Sequence, residues 1–327
     1  MENDIKKTET KKEPNSFLFK IISQCNDSCN FCLEYKFIKS KQPPLSFKEF
    51  KKNYFYLRKK LVPNYVILTG GEPTLHQEFF DMLNFLKQQN EGFRFITNLL
   101  KFNERDFMKK LKPVFSNYIS KKQKNLSKII TSINDLPGKN QIAKKRFLGL
   151  KKALSMELPL MVTIMIYRDN LDDLPELSEH LKALFAKYAP DKILHVEFRL
   201  MYIEGTLPKL LKLSLPTNFQ NVKKAVETSI QILNTPQIKV TLWNFPLCYL
   251  TNPENAKNEA IAERQARRLI KISKTGQLKN VGVRNWETYL KHYQECANCQ
   301  LKNLCSGIDE SYITKYHFPK LKPILLK

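Results

Sequence analysis

The sequence predicts an α/β fold in which parallel β-strands alternate with amphipathic α-helices. Two observations predict it: six short apolar segments have the composition of buried strands, and stripes of apolar residues at helical spacing separate most of them. Strands that alternate with helices imply parallel βαβ crossovers, and this pattern alone leaves open both a doubly wound sheet and a complete or partial barrel. A chain of 327 residues has about the size at which one hydrophobic core stops growing, so we expect one large domain and a smaller one.

The predicted elements follow one another along the first two thirds of the chain. The six strands are expected at residues 16–23, 65–69, 93–97, 128–133, 159–167 and 193–200. A capping box of Ser46 and Glu49 predicts the start of the first helix, and Thr74 with Gln77 predicts the start of the helix after the second strand. Residues 112–127, before the fourth strand, are rich in lysine and are interpreted as an insertion.

Charge and apolar patterning restrict the class of protein. A formal charge of +24 attracts phosphate backbones, but the lysines are spread along the whole chain without a compact basic and aromatic block, which does not favour a nucleic-acid partner. Residues 1–15 are predicted to be a disordered basic tail without a secretory signal. The longest apolar run, from Leu158, is too short to span a bilayer. We therefore expect a soluble, cytoplasmic protein with no membrane partner.

Seven cysteines in a reducing compartment favour metal ligation or catalysis over disulfides. Three of them, Cys25, Cys29 and Cys32, follow the first strand among polar residues that suit a solvated turn. The carboxyl ends of the strands of a parallel barrel meet at one rim, so this loop is expected beside the loops after the second and third strands. Iron–sulfur cubanes are normally held by four thiolates, and three local cysteines therefore leave one iron open to a ligand.

The cysteine loop resembles the signature of the radical S-adenosylmethionine (SAM) superfamily, Cys-x3-Cys-x-aromatic-Cys, and a GGEP segment after the second strand is similar to the family segment that binds the methionine amino end of SAM. The matching residues are Cys25, Cys29, Phe31 and Cys32 in the first motif and Gly70, Gly71, Glu72 and Pro73 in the second. The resemblance implies a partial (β/α)6 TIM-like barrel over residues 16–235, with a 4Fe-4S cluster that reductively cleaves SAM. It further implies a 5′-deoxyadenosyl radical that removes a substrate hydrogen, and a low-potential electron donor such as flavodoxin or ferredoxin.

Further polar residues are implied as SAM contacts by the same resemblance. Family members use polar groups from strands four to six for the ribose and carboxylate, which here suggests Ser132 or Asn134, Asn98 and Arg199. The family's Thr-Asn-Gly after the third strand reads Thr97, Asn98 and Leu99 in this chain, and the missing glycine bears on the geometry of that loop. Arg199 also belongs to an ionisable face of the sixth strand, which we expect to line a wet lumen, an open lateral mouth or a solvated sheet edge.

Four further cysteines lie in residues 236–327: Cys248, Cys296, Cys299 and Cys305. Four thiolates are enough for one closed site, and a structural zinc is as good a chemical match as a cluster. Their spacing resembles the SPASM and shorter "twitch" extensions of radical SAM enzymes, which implies a small domain with a second, auxiliary 4Fe-4S cluster. Asp309 stands where a full SPASM domain has a further cysteine, so we expect one auxiliary cluster.

Enzymes with this extension often modify ribosomally made peptides or proteins, and the resemblance therefore implies a peptide or protein substrate. One alternative is a radical SAM enzyme that acts on a small molecule or nucleotide, as in molybdenum-cofactor synthesis. Another is a basic RNA-binding protein with structural zinc sites, which iron and sulfide content would distinguish.

Overall fold

The computed structural model describes residues 15–29, 31–32, 34–59, 62–116, 118–201, 215–253, 268–272, 278–281 and 290–325. The predicted disordered tail lies outside the described residues, apart from the backbone of residue 15 at its end. No helix in the described part of the chain is long and apolar enough to cross a membrane.

The main sheet has nine strands among the described residues, and seven of them are parallel and lie side by side in chain order. They are β1 (Asn15–Ile22), β2 (Pro63–Gly70), β3 (Gly92–Thr97), β4 (Lys128–Ser132), β5 (Leu160–Ile166), β6 (Leu194–Leu200) and β7 (Ile238–Trp243). The first six confirm the predicted strands. Within the described part of the chain no strand pairs with the far side of β7, so the sheet is open there, and this order confirms a partial barrel of the α/β class.

Helices connect these strands. They are α1 (Tyr35–Lys39), α2 (Phe47–Arg58), α3 (Phe79–Gln88), α4 (Arg105–Ser116), α5 (Lys121–Leu126), α6 (Gln141–Ser155), α7 (Leu174–Tyr188) and α8 (Phe219–Leu233). The Ser46–Glu49 capping box is present at the start of α2. The lysine-rich segment before β4 continues α4 and then forms α5, so it is mostly helical.

The predicted helix start at Thr74 and Gln77 is wrong. Helix α3 begins at Phe79, and Thr74 lies in a 3-10 turn instead. Its hydroxyl donates a 2.6 Å hydrogen bond to Glu72 Oε1. The carboxylate two residues earlier therefore takes the hydroxyl that the sequence pattern assigned to a helix cap.

The C-terminal third adds elements that the sequence analysis did not predict. Strand β8 (Arg268–Ile272) pairs parallel with β1, and β9 (Leu278–Val281) pairs antiparallel with β8. A small antiparallel pair, β10 (Leu290–Lys291) and β11 (Ile308–Asp309), leads into α9 (Glu310–Thr314). Residues beyond 235 thus contribute strands to the main sheet, and they also contain the segment with the C-terminal cysteines.

The strands of the sheet are buried on both faces. Phe17, Val66 and Leu68 lie on one face, are inaccessible to solvent and belong to the apolar core. Ile67 and Arg94 lie on the opposite face and are also buried. Burial on both faces is typical of parallel sheets covered by helices. The carboxyl ends of β1, β2 and β3 are thereby held side by side, and this arrangement positions the loops described next.

Candidate functional site

Two glycines allow the loop after β2 to lie directly against the start of the cysteine loop. Gly71 N donates to Ile22 O at 2.7 Å, and Glu72 N donates to Gln24 O at 2.9 Å. A Cβ atom on Gly70 would lie 2.3 Å from Ile22 O, and one on Gly71 would lie 2.1 Å from Gln24 O. Gly70 also has a φ of +138°, which L side chains rarely adopt. The double glycine is therefore required because the loop after β2 passes so close to the backbone of residues 22–24 that a side chain would not fit.

Glu72 joins the loops after β2 and β3. Its side chain is buried, Oε1 accepts hydrogen bonds from Thr74 N (3.2 Å) and Thr74 Oγ1 (2.6 Å), and Oε2 accepts from Asn98 N (2.7 Å). Burial raises the pKa of the carboxyl, and the hydrogen bonds from Thr74 and Asn98 oppose that rise. The carboxylate thus fixes the shape of both loops.

Asn98 extends this link to the cysteine loop, since its Nδ2 donates to Asn26 Oδ1 at 2.8 Å. Leu99, in the place of the family glycine, adopts the left-handed conformation with φ 64° and is fully buried. The loop therefore keeps a glycine-like backbone without glycine. Space for Leu99 comes from Gly149 of α6, where a Cβ atom would lie 2.4 Å from Leu99 O.

Three thiols lie in the loop after β1, which the backbone contacts of Gly71 and Glu72 and the side chain of Asn98 hold in place. Cys25, Cys29 and Cys32 are half-buried, and Cys32 N donates to Cys29 O at 3.2 Å. Burial raises the pKa of Cys25 to about 11 and that of Cys29 to about 12, and the charges of Cys25 and Cys32 contribute to the rise at Cys29. The three thiols are thus within electrostatic reach of one another. Among the described residues no three His, Cys, Asp or Glu side chains are close enough together to hold a single metal ion.

A buried arginine that the sequence analysis did not single out contacts this loop. Arg146 Nη2 donates to Asp27 Oδ2 and lies 3.5 Å from Cys29 Sγ, and Nη1 lies 3.7 Å from Asp135 Oδ2. The side chain is 7% exposed. A signal was present in the sequence, because Arg146 lies at helical spacing between Ala143 and Leu150 on the apolar face of α6.

The aromatic residue of the cysteine motif packs against the same network. The Phe31 ring centroid lies 4.9 Å from that of Tyr167, whose hydroxyl donates to Asp135 Oδ1 at 3.0 Å. Loops after β1, β4 and β5 therefore meet around Asp135 and Arg146.

The family model described as the radical SAM superfamily matches residues 19–181, from within β1 to within α7. The chain belongs to this superfamily. It is accordingly a radical SAM enzyme, a class whose members carry a 4Fe-4S cluster and bind SAM.

Solved structures of radical SAM enzymes share the fold. SuiB of Streptococcus suis bound to S-adenosylmethionine matches with a TM-score of 0.58 at 10% identity, over 93% of this chain and 75% of SuiB. SuiB bound to the precursor peptide SuiA gives a TM-score of 0.58 at 10% identity, over 96% and 75% of the two chains. The enzyme anSMEcpe with bound AdoMet and the Cp18Cys peptide gives 0.50 at 14% identity, over 69% and 63%. No curated protein sequence matches significantly.

The remaining residues predicted to contact SAM lie at or near the carboxyl ends of β4 and β6 in this radical SAM enzyme. Ser132 Oγ is hydrogen-bonded to Thr163 Oγ1 at 2.8 Å. Asn134 is buried and its Oδ1 accepts from Met165 N at 2.7 Å, but its Nδ2 has no hydrogen-bond partner among the residues that the structure describes. Arg199 is ion-paired with the buried Glu197. Asn134 thus offers an unused donor, whereas Ser132 and Arg199 are engaged by neighbours.

The four C-terminal cysteines line one cavity. Cys248 follows β7, and Cys296, Cys299 and Cys305 come from the segment between β10 and β11. Backbone amides of Ile324 and Gly307 donate to Cys299 Sγ (3.3 Å) and Cys305 Sγ (3.4 Å). Burial raises the pKa of Cys305 to about 11.

Asp309, which stands in the place of the missing SPASM cysteine, makes hydrogen bonds that stabilise the local structure. Its Oδ1 accepts from Ser311 N at 3.0 Å and caps α9, and its backbone amide donates to Asn244 Oδ1 at 2.7 Å. These bonds connect α9 to the loop after β7.

Proposed function

We propose that this radical SAM enzyme modifies a ribosomally made peptide or protein. The likeness to SuiB supports the proposal, because it extends over 96% of the chain and SuiB has been solved with a precursor peptide. The open side of the sheet at β7 agrees with a mouth wide enough for a polypeptide.

The cysteine loop is proposed to hold the SAM-binding cluster through Cys25, Cys29 and Cys32. The donor set fits, since three half-buried thiols on one loop, in which Cys32 N is bonded to Cys29 O, can ligate three irons and leave the fourth for SAM. When bound, the cluster and SAM supply a 5′-deoxyadenosyl radical. Glu72 and Asn98 fix the loop geometry, and the arginine beside Cys29 places positive charge next to a thiolate.

SAM itself is proposed to lie along the same edge. Backbone groups of Gly70 to Pro73 are the proposed contacts for its methionine end. Phe31, which packs against Tyr167, is a further proposed contact. Asn134 is the best placed of the polar candidates, because a buried amide donor without a partner costs free energy that a ligand oxygen would recover. Asn98, Ser132 and Arg199 complete the proposed set.

An auxiliary 4Fe-4S cluster is proposed in the cavity lined by Cys248, Cys296, Cys299 and Cys305. Four thiolates would close the site, and the two amide-to-sulfur hydrogen bonds are of the kind that tune cluster potentials. Because all four irons of this auxiliary cluster would be ligated by cysteine, it would have no open position for SAM. Its proposed roles are to shape the substrate mouth and to relay an electron from the product radical. Residues 236–327 are therefore proposed to be a SPASM-like or twitch-like domain that holds this auxiliary cluster.

The proposed setting is the cytoplasm, where thiols stay reduced, with flavodoxin or ferredoxin as the electron donor. The experiment uses anaerobically reconstituted protein, SAM, dithionite and short peptides encoded beside the gene. Mass spectrometry should find one peptide altered in mass, together with 5′-deoxyadenosine in equal amount. Turnover of a small molecule with coupled 5′-deoxyadenosine formation, while every such peptide stays unaltered, would assign the enzyme to the other substrate class.

A further inference from the structure

A second cleft lies at the opposite end of the sheet from the cysteines. It has a volume of about 640 Å³ and opens at the amino ends of the strands, where Lys128 begins β4, Leu160 begins β5 and Leu194 begins β6. Seven residues of strand span about 20 Å, so an occupant of this cleft is remote from the thiols. The cleft therefore suits binding rather than the radical chemistry.

The lining of this cleft is strongly basic. Its described lining residues include one carboxylate, Glu157, which is ion-paired with Lys192 at 3.0 Å, and the following lysines: Lys112, Lys124, Lys128, Lys192 and Lys239. Stabilisation of helix carboxyl ends does not explain the cluster, because Lys124 alone among these five lies in the last turn of a described helix. The excess of positive charge favours an anionic occupant.

The floor of the cleft is apolar. Leu154, Leu158, Leu160 and Leu194 line it, and Ile193 at its rim is 78% exposed. Apolar and lysine side chains in one cleft match a polypeptide segment that alternates acidic and apolar side chains. A free phosphate has no group to place on such a floor.

Its aromatic residues do not suit RNA. The Phe115 ring packs against Phe93 and Phe95 of β3, with centroids 5.3 Å and 6.2 Å away, and against Tyr118 at 6.3 Å. Single-stranded RNA is bound through exposed rings on which bases stack. Since Phe115 is committed to the core and Tyr118 packs edge to face against it, the described aromatic lining offers no row of exposed rings.

From this charge and apolar complementarity we infer that the cleft at the amino ends of β4 to β7 docks an acidic, partly apolar polypeptide segment. The inference concerns binding and does not depend on the substrate class of the radical site. Lys112, Lys124 and Lys192 are exposed and supply the charge, and Ile193 supplies the apolar contact.

The test measures fluorescence anisotropy of a labelled peptide that alternates Glu with Leu, added to reconstituted holoprotein. The triple variant Lys112→Glu, Lys124→Glu, Lys192→Glu should weaken binding by roughly tenfold or more, since each change places like charge against the peptide. A control variant changes three exposed lysines outside the cleft to Glu and shifts the net charge equally: Lys48, Lys52 and Lys315. It should bind within about twofold of the unchanged protein, because distant exposed charges are screened by salt.

The apolar contact is tested separately. Ile193→Ser should weaken binding of the Glu–Leu peptide and leave a Glu–Ser peptide unaffected. Equal loss in the cleft and control lysine variants would overturn the inference, because the charge would then act over the whole surface. An oligouridylate RNA that binds as tightly and through the same three lysines would overturn it in favour of a nucleic-acid site.

Discussion

At the scale of single residues, the candidate site depends on backbone groups that pack closely. The spacing of Cys25, Cys29 and Cys32 was enough to propose them as ligands, but the contacts of Glu72 and the conformation of Leu99 could not be predicted. A carboxylate after a double glycine does not reveal whether it faces a ligand or its own loops. A leucine at a glycine position gives no sign that a glycine in α6 makes room for it.

Gly149→Ala tests the packing of Leu99 on α6. Alanine favours a helix over glycine by roughly 1 kcal/mol, but its Cβ atom would lie 2.4 Å from Leu99 O. We expect a net loss of about 1–3 kcal/mol in the free energy of unfolding, because backbone atoms cannot yield cheaply. Urea unfolding measures it, with Gly138→Ala as the control, since a Cβ atom there meets nothing within 4 Å. An unchanged or increased stability of Gly149→Ala would show that α6 shifts freely.

His76 gives a pH-dependent prediction. Burial lowers its pKa, its Nδ1 accepts from Glu78 N (3.1 Å) and its Nε2 faces Leu45 O (3.0 Å), while the Glu78 carboxylate and the Leu45 contact oppose the shift. The unfolded chain takes up a proton below a pH of about 6.5 that folded His76 resists. Stability should therefore fall as the pH drops through and below that value.

The comparison is between the unchanged protein and His76→Gln, unfolded in urea at pH 7.5 and pH 5.5. The loss of stability between these pH values should be smaller in His76→Gln, and the difference between the two proteins removes the contribution of other groups. Identical pH slopes in His76→Gln and the unchanged protein would refute the lowered pKa of folded His76.

At the scale of elements, the sequence predicted the first six strands closely because buried parallel strands are short, apolar and bounded by polar loops. Strand β7 and the β8–β9 pair were missed, since they follow the last βαβ repeat that the pattern identified. Helix α6 shows a further limit. Its apolar stripe was predicted, but the arginine within that stripe was not, although it links the helix to the cysteine loop.

Arg146→Leu tests this link. The substitution leaves Asp27 and Asp135 without their cationic partner near a partly buried loop. Breaking a buried ion pair in this way costs about 3–5 kcal/mol, and the loosened loop should retain less iron after reconstitution. Lys144→Leu, an exposed change on the same helix, should leave thermal stability and iron content unaltered. Equal iron content and melting temperature in the two variants would contradict a positioning role for Arg146.

At the scale of the whole molecule, both groups of cysteines lie toward the carboxyl edge of one sheet. The loops after β1 to β3 hold the first group, and the second is connected to the ends of β6 and β7. Tyr312 Oη donates to Met201 O at 2.7 Å, and Asn244 Nδ2 donates to Leu200 O at 3.1 Å. This arrangement agrees with two clusters that face one substrate mouth and perform different tasks.

The division of tasks predicts the behaviour of the double variant Cys296→Ala, Cys299→Ala. It should lose about half of the iron, by the thiolate count, and still cleave SAM without substrate. Formation of product from the true substrate should stop. Normal turnover in this variant would make the auxiliary thiols dispensable, and a folded variant unable to cleave SAM would contradict the assignment of two separate sites.

The central claim is that Cys25, Cys29 and Cys32 hold the cluster that reduces SAM. The most direct measurement is 5′-deoxyadenosine formed from SAM and dithionite by anaerobically reconstituted protein, with iron and acid-labile sulfide measured on the same sample. The unchanged protein should contain about eight irons per chain and form 5′-deoxyadenosine slowly without substrate. The triple variant with Ala at these cysteines should keep about half of the iron and form none. Tightly bound zinc without sulfide in the unchanged protein, or undiminished SAM cleavage by the triple variant, would contradict the account.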